Sequence, residues 1–441
     1  MFKVLIPSLC LAEKKYAIHC LLREFIGVEC NIEEDPYVND YVIKYREKSL
    51  VIKNCFFAID GIEELYIKEN IPSKVDDKQI KLCGNIMPLL SIYGSSRIDI
   101  SDNNIILYSD VVASTFFMLS RWEEYAIDKR DVHNRFSAKN ALSFRKNFLN
   151  RPIVNEYVEI LWLLFRELGF KGERKKRKYV VVPTHDEDRP FLWNGMNSKI
   201  RSLASSVIRK KKLLEAKVKL RHLLLGTDPF DTHDYLMDLS EKENVKSYFF
   251  FMVGGDTEFD CKYSIEDERI GNLIKHIEKR GHEIGIHPSY NSYDNETIFK
   301  NELDRISKVL KRSVVFGRHH FLRFEIPKTF QIWENSKMEW DSTLAYADQI
   351  GFRCGVCYTF SVFNILSRKR LKLKERPLIV MEGSLLKYQK LSLEDSLHVI
   401  SKVKDQVKKY NGEFVFLWHN SSFNTDYWLG YEDLIISLYS S

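Results

Sequence analysis

The sequence predicts an α/β chain in two parts: a smaller α/β domain over residues 1–170 and a distorted (β/α)7 barrel over 179–441. Three observations carry this. Short apolar runs alternate with helical periodicity through the second part, as parallel βαβ units require. Seven such runs fall within about 265 residues, which suits a barrel better than a small open sheet. A basic run, six of the eight residues 171–178, separates the parts and reads as solvated linker.

In the first part, 4–6, 50–52 and 105–108 read as short strands. Residues 111–125 read as a helix, with Phe116, Leu119 and Trp122 recurring at spacing three. Residues 152–168 read as another, because Pro152 suits a first turn and Gly169 a stop. In the second part the strands are 179–183, 247–253, 283–287, 314–318, 338–341, 378–381 and 413–418. Ile270, Leu273, Ile274 and Ile277 form one helical apolar face, closed by Gly281; Leu393, Leu397, Ile400 and Val407 form another. One segment interrupts the rhythm. Residues 199–222 hold nine Lys/Arg and a single acid, Glu215, while Ile200, Leu203, Val207, Leu214 and Val218 recur at roughly helical spacing. Two readings stand for this helix: a solvated insertion packed on the barrel, or a basic amphipathic face for an anionic membrane or lipid-linked glycan.

Composition narrows the classes. A length of 441 residues allows about three domains. With 19 Gly and 11 Pro the chain is neither collagen-like nor largely disordered. Its longest apolar runs, such as 160–165, are too short to span a bilayer. The net charge of +6 is modest, and no nucleic-acid partner is expected. The two basic segments hold fifteen basic residues against two acids, so an anionic partner is to be sought there. No secretory signal is legible, and the eight cysteines are scattered, which predicts free thiols and a cytoplasmic setting, membrane-peripheral on the second reading of 199–222. Cys354 and Cys357 form a lone CxxC and read as structural.

Functional groups of a parallel barrel collect at the C-terminal ends of its strands. Here Asp186 and Asp188 follow the first strand, His287 ends the third, and Arg318, His319 and His320 end the fourth. Asp341 ends the fifth and His419 the seventh. Each alone has a structural explanation, such as a helix cap or a satisfied core histidine; all five on one rim do not. Asp and His suit Zn²⁺ or a similar divalent ion. A carboxylate beside the ion takes a proton from water, and a histidine across the site donates one to a leaving group. The set describes metal-assisted hydrolysis of an amide or ester.

These residues resemble the polysaccharide deacetylases, carbohydrate esterase family 4, from about residue 179 to 441. Residues 184–188 resemble the family's first motif, 247–255 its Phe-rich second strand, 281–290 its second motif and 414–420 its last. The resemblance implies Asp186 as general base, Asp188 and His287 as metal ligands, Arg318 as the group orienting the base, and His419 as general acid. It gives Asp341 a supporting role. Two departures bear on the metal. The second ligand histidine of the family falls on Asn291, and a histidine, His320, replaces the proline of the third motif. Asn oxygen is a poor zinc ligand, so His320, or secondarily His319, is expected to supply the third ligand. The whole chain is also similar to a bacterial subgroup with an N-terminal α/β domain, through 113–125, 228–241 and 340–355.

The expected activity is divalent-metal-dependent removal of N-acetyl or O-acetyl groups from a carbohydrate, with zinc the expected ion and an acetylated carbohydrate the partner. Hydrolysis of another linear or cyclic amide is the first alternative. A non-catalytic glycan-binding homologue is the second. A glycosidase using Asp186 and a distant carboxylate is the weakest, since it leaves His287 and His419 without roles.

Overall fold

Alternating burial along the first strand, with Phe2, Val4 and Ile6 inward, starts a mixed sheet in the N-terminal part. The computed structural model describes residues 1–57, 65–206, 213–424 and 430–440. The first part contains β1 (Phe2–Ile6), β2 (Cys30–Glu34), β3 (Tyr41–Tyr45), β4 (Lys48–Ile52), β5 (Asp76–Leu82), β6 (Asn85–Ser91), β7 (Gly94–Ile100) and β8 (Asn104–Ser109). Six of them form a sheet in the order β2-β1-β3-β4-β8-β7, and β5 and β6 pair separately. The three expected strands fall in β1, β4 and β8. The β3–β4 hairpin escaped sequence reading because its turn carries no Gly or Asn; Arg46 takes the positive φ of 55° instead.

The helix expected over 111–125 is two helices, Val111–Ser120 and Trp122–Ala126, broken at Arg121 with φ 54°. The break follows from a buried charge network. Arg121 donates to Glu123 and Glu124 at 2.7 and 2.9 Å and to the Tyr346 hydroxyl at 3.0 Å. Arg353 donates to both oxygens of Glu124, at 2.9 and 2.5 Å. Burial opposes ionisation of Glu124, but Arg353 and Arg121 outweigh it and hold its pKa at about 2. The network joins the two parts of the chain. Arg353→Met should therefore lower the free energy of unfolding by about 3–5 kcal/mol, read from the urea midpoint, because it strands a buried carboxylate. An unchanged midpoint would show that the network does not hold the two parts together.

The second part contains β9 (Val180–Glu187), β10 (Tyr248–Met252), β11 (Glu283–His287), β12 (Phe316–Gly317), β13 (Trp340–Asp341), β14 (Phe360–Asn364), β15 (Lys369–Glu375), β16 (Val380–Met381) and β17 (Glu413–Leu417). Their order is β14-β15-β13-β12-β11-β10-β9-β17-β16, parallel throughout except for β14 against β15. All seven expected strands are present, but closure into a seven-stranded barrel is not. Closure would set β16 beside β13. Instead an unforeseen hairpin intervenes, and β15 pairs with β13 through Trp340↔Lys374 and Asp341↔Glu375. Among the described residues no ladder joins the outer strands β14 and β16. Pro377, which has no N–H to give to a ladder, lies between β15 and β16.

The helix Glu268–Lys279 buries the predicted face, Ile270, Leu273, Ile274 and Ile277, against this sheet. Leu393–Lys409 buries Ile400, Val403 and Val407. Where one helix is expected over 199–222, the described residues form two, Met196–Ala204 and Leu213–Leu225. Val207 lies outside the described residues. The run 171–178 is mostly exposed yet pinned: Lys175 N–H donates to Ile26 O at 2.7 Å, and Arg174 pairs with Glu159 at 2.7 Å. Cys354 and Cys357 are buried free thiols, both pushed up by burial.

Candidate metal centre and active site

Strand β9 alternates its side chains between two environments. On one face His185 and Glu187 enter the helix layer. His185 lies against Trp418 O at 2.8 Å, and Glu187 pairs with His233 at 3.0 Å. Burial disfavours the charge on His233, but Glu187 outweighs it and raises the pKa to about 9. On the other face Thr184 and Asp186 point toward the ends of β11 and β12, with Asp188 just beyond.

There Asp188, His287 and His320 bring one ligand atom each within 4.8 Å of one another, and could hold a metal ion. Asp188 Oδ1 is 3.1 Å from His287 Nε2 and 3.3 Å from His320 Nδ1. The two ring nitrogens are 2.9 Å apart. The far side of each ring decides what this means. His287 Nδ1 faces Arg318 O at 2.6 Å, and His320 Nε2 faces Phe259 O at 2.9 Å. A carbonyl is satisfied only by an N–H, so each ring keeps a proton on its outward nitrogen, and the inward nitrogens can offer lone pairs to a cation. With the Asp188 carboxylate they make a donor set that fits a divalent cation. Burial disfavours ionised Asp188, but His320 and His287 overcome it and hold the carboxyl well below the usual range.

His320 reaches the centre because the chain turns sharply after β12. The 3-10 turn His320–Leu322 contains Phe321 at φ 60° and Leu322 at φ 55°, unusual for non-glycine residues. Phe321 is held in an aromatic cluster with His133, Phe259 and Tyr290, at centroid distances of 4.7, 5.3 and 5.5 Å. Gly317 permits the approach of β12 to β11, since a Cβ there would lie 1.9 Å from Ile286 O. Asn291, expected beside the metal, is exposed, and its Oδ1 accepts from Arg323 at 3.2 Å. His319, the secondary candidate, is buried elsewhere and accepts from Trp333 Nε1 at 2.7 Å. Burial pushes its pKa well down.

Arg318 is fully buried and fully engaged. Nη1 donates to Asp186 Oδ1 and to Thr184 Oγ1, both at 2.9 Å; Nε donates to Ser342 O at 2.8 Å and Nη2 to Ser342 Oγ at 3.1 Å. Asp186 is thereby fixed with Oδ2 3.8 Å from His287 Nε2. Across the site, His419 Nε2 lies 3.7 Å from Asp188 Oδ2, and Nδ1 donates to Glu382 Oε1 at 2.5 Å. Burial opposes the imidazolium, but Glu382 outweighs it and Asp188 and Asp186 add to it, raising the pKa to about 10. Asp341 does not line the cavity. It accepts from Thr343 Oγ1 at 2.5 Å, and burial pushes its carboxyl up to about 6. It shares this buried position with Glu375, whose carboxyl burial and Asp341 push up.

A cavity of about 240 Å³ opens over Asp186, Asp188, His287, His320, Glu382 and His419. A second chamber of about 560 Å³ meets it at Asp188, His320 and Phe321. Glu382 and Arg135 are among the wall residues that the sequence did not reveal. Glu382 stands directly after β16, the sixth strand, for which no rim residue had been assigned; its position was the available signal. Arg135 comes from the N-terminal part and lines the cavity. It pairs with Asp131 at 2.8 Å and donates to Phe321 O at 3.1 Å and the Tyr388 hydroxyl at 3.2 Å. No local pattern marks such a residue.

Residues 2–169 match the model of a family of unknown function, DUF7033. No curated protein matches the chain. Among solved structures the chain is similar to a "putative polysaccharide deacetylase from Mycobacterium smegmatis", at 14% identity and TM-score 0.40, over 60% of this chain and 85% of that one. It is similar to a structure described as Puue allantoinase at 11% identity and TM-score 0.35, over 58% and 82%. A "probable polysaccharide deacetylase from Pseudomonas aeruginosa PAO1" follows at 12% and 0.33, over 59% and 83%. Overlaps this partial, at such low identity, assign no residue a role; the roles rest on the geometry of the site.

Proposed function

We propose that this chain is a divalent-metal-dependent hydrolase that removes acetyl groups from an N-acetylated carbohydrate, with zinc as the ion. The observation that carries the reading is the Asp188–His287–His320 set flanked by two paired proton carriers, Asp186 with Arg318 and His419 with Glu382. The bound cation would supply Lewis acidity to the amide carbonyl and acidity to a water.

The chain's own groups do the rest. Arg318 orients Asp186 through a charged hydrogen bond, and Asp186 accepts the water proton. His419, kept as imidazolium by Glu382, donates its proton to the departing amine nitrogen. The amide C–N bond breaks, and acetate and a free amine leave. Arg135, Phe321 and Tyr388 line one side of the pocket, where they bound the space left for a substrate.

The test is acetate release from a panel of N-acetylated sugars and oligosaccharides. Asp186→Asn should lower kcat by about 10²–10⁴-fold while metal content stays at the wild-type level. Equal release by both proteins would refute the mechanism. Arg135→Met should raise KM several-fold, with kcat and metal content little changed, because it frees Phe321 and Tyr388 without touching the ligands. An unchanged KM would place Arg135 outside substrate binding.

A further inference from the structure

The helices Met196–Ala204 and Leu213–Leu225 pack on each other through one small polar knot. Lys219 Nζ donates to Glu215 Oε1 at 2.5 Å and to Ser206 Oγ at 2.7 Å, and Ser206 Oγ donates to the same carboxylate at 3.2 Å. Glu215 is the pair's one acid, and it is 7% exposed. The outward faces carry the opposite composition. Ile200, Leu214, Leu220 and Leu224 are exposed, the last at 79%, and Lys217 and Arg221 stand exposed beside them. Among the described residues, six of twenty-one exposed large apolar side chains fall within these two helices. Single exposed leucines are ordinary on a folded protein; six exposed apolar side chains on one helix pair, interspersed with cations, are not.

We propose that this two-helix face is a peripheral docking surface for an anionic membrane. Charge complementarity selects the occupant. The pair's one carboxylate is turned inward and neutralised, so the outer face offers leucine and isoleucine to the acyl boundary and lysine and arginine to phosphate headgroups. A protein partner buried against these leucines would leave the same cations facing an apolar interface. No described helix is long and apolar enough to cross a membrane, so the contact is a surface one. Asn194 and Ser198, at the start of the first helix, also line the chamber that meets Asp188 and His320. A docked molecule would therefore hold its second chamber beside the bilayer, where a lipid-linked carbohydrate presents its sugar. The surface itself does not depend on the hydrolase reading.

The test is co-sedimentation of the full, metal-loaded chain with vesicles of phosphatidylcholine alone or mixed in about equal parts with phosphatidylglycerol. Binding is expected to the mixed vesicles only, and to weaken with salt. Lys217→Gln with Arg221→Gln should lower the partition coefficient about thirty-fold, at about 1 kcal/mol per cation. Leu220→Glu with Leu224→Glu should abolish binding; both changes are on exposed positions, and an unchanged melting temperature confirms folding. Three outcomes overturn the proposal: wild type left in the supernatant, variants that bind as well as wild type, or a wild-type dimer that the leucine variants convert to monomer without any vesicle binding. Acetate release from a soluble substrate is measured on the same samples. Vesicle binding without acetate release sinks the hydrolase reading alone, and acetate release without vesicle binding sinks this one alone.

Discussion

His320→Ala is expected to lose bound divalent metal, with affinity falling about 100-fold or more, and to lose acetate release with it. Changes to groups that merely orient a ligand already cost about 10–100-fold, so removal of a ligand should cost at least the upper figure. Two controls separate this from general damage. His319→Ala breaks the contact with Trp333 and should lower stability, yet leave metal content intact, because neither ring nitrogen of His319 faces Asp188. Asn291→Ala should change neither, since Asn291 is exposed and bonded to Arg323. Equilibrium dialysis followed by metal analysis reads all three. Retained metal and activity in His320→Ala would remove His320 from the centre.

The second large effect is on pH dependence. His419 must carry a proton to protonate the leaving amine, so the rate falls as pH rises through its pKa. That pKa is raised, to about 10, because the Glu382 carboxylate outweighs burial. Glu382→Gln removes the main stabilising charge, and burial then disfavours the imidazolium. The pKa falls by about 1–3 units, and the alkaline limb of the kcat profile moves to lower pH by the same amount. His419→Ala should remove the limb and lower kcat by about 10²–10⁴-fold. The acid side of the profile, which His419 does not set, should not move in Glu382→Gln. A profile identical to wild type would show that Glu382 does not tune the acid.

Much of the candidate site was legible because a parallel sheet places chemistry at strand ends, and strand ends can be read from apolar runs. Asp186, Asp188, His287, Arg318 and His419 all lie at those positions. The substitution of histidine for proline at 320 was visible as a residue out of pattern, and the turn through Phe321 brings that side chain to Asp188 and His287. Asn291 stands where the resemblance puts a second ligand histidine; the loop instead turns its amide oxygen toward Arg323, away from the centre. The hairpin β14–β15 was not read: β15 interrupts its buried Leu371 and Leu373 with charged residues, and β14 is a short uncharged run with no rim group after it. It is also what fills the place beside β13 that a closed barrel would give to β16.

The sequence by itself determined the alternation of strands and helices in the second part, the inward face of helix Glu268–Lys279, the rim positions of the acids and histidines, and the basic character of 199–222. These depend on local periodicity and residue chemistry, which neighbouring residues carry. Only the tertiary structure decided that Arg135 walls the cavity, that Glu382 meets His419, that β15 and not β16 pairs with β13, and that Glu215 turns inward while Leu220 and Leu224 turn out. Each of those depends on side chains far apart in the chain meeting across packed elements. Such meetings are set by the way whole elements pack and by where buried charge finds a partner, and neither has a local pattern to betray it.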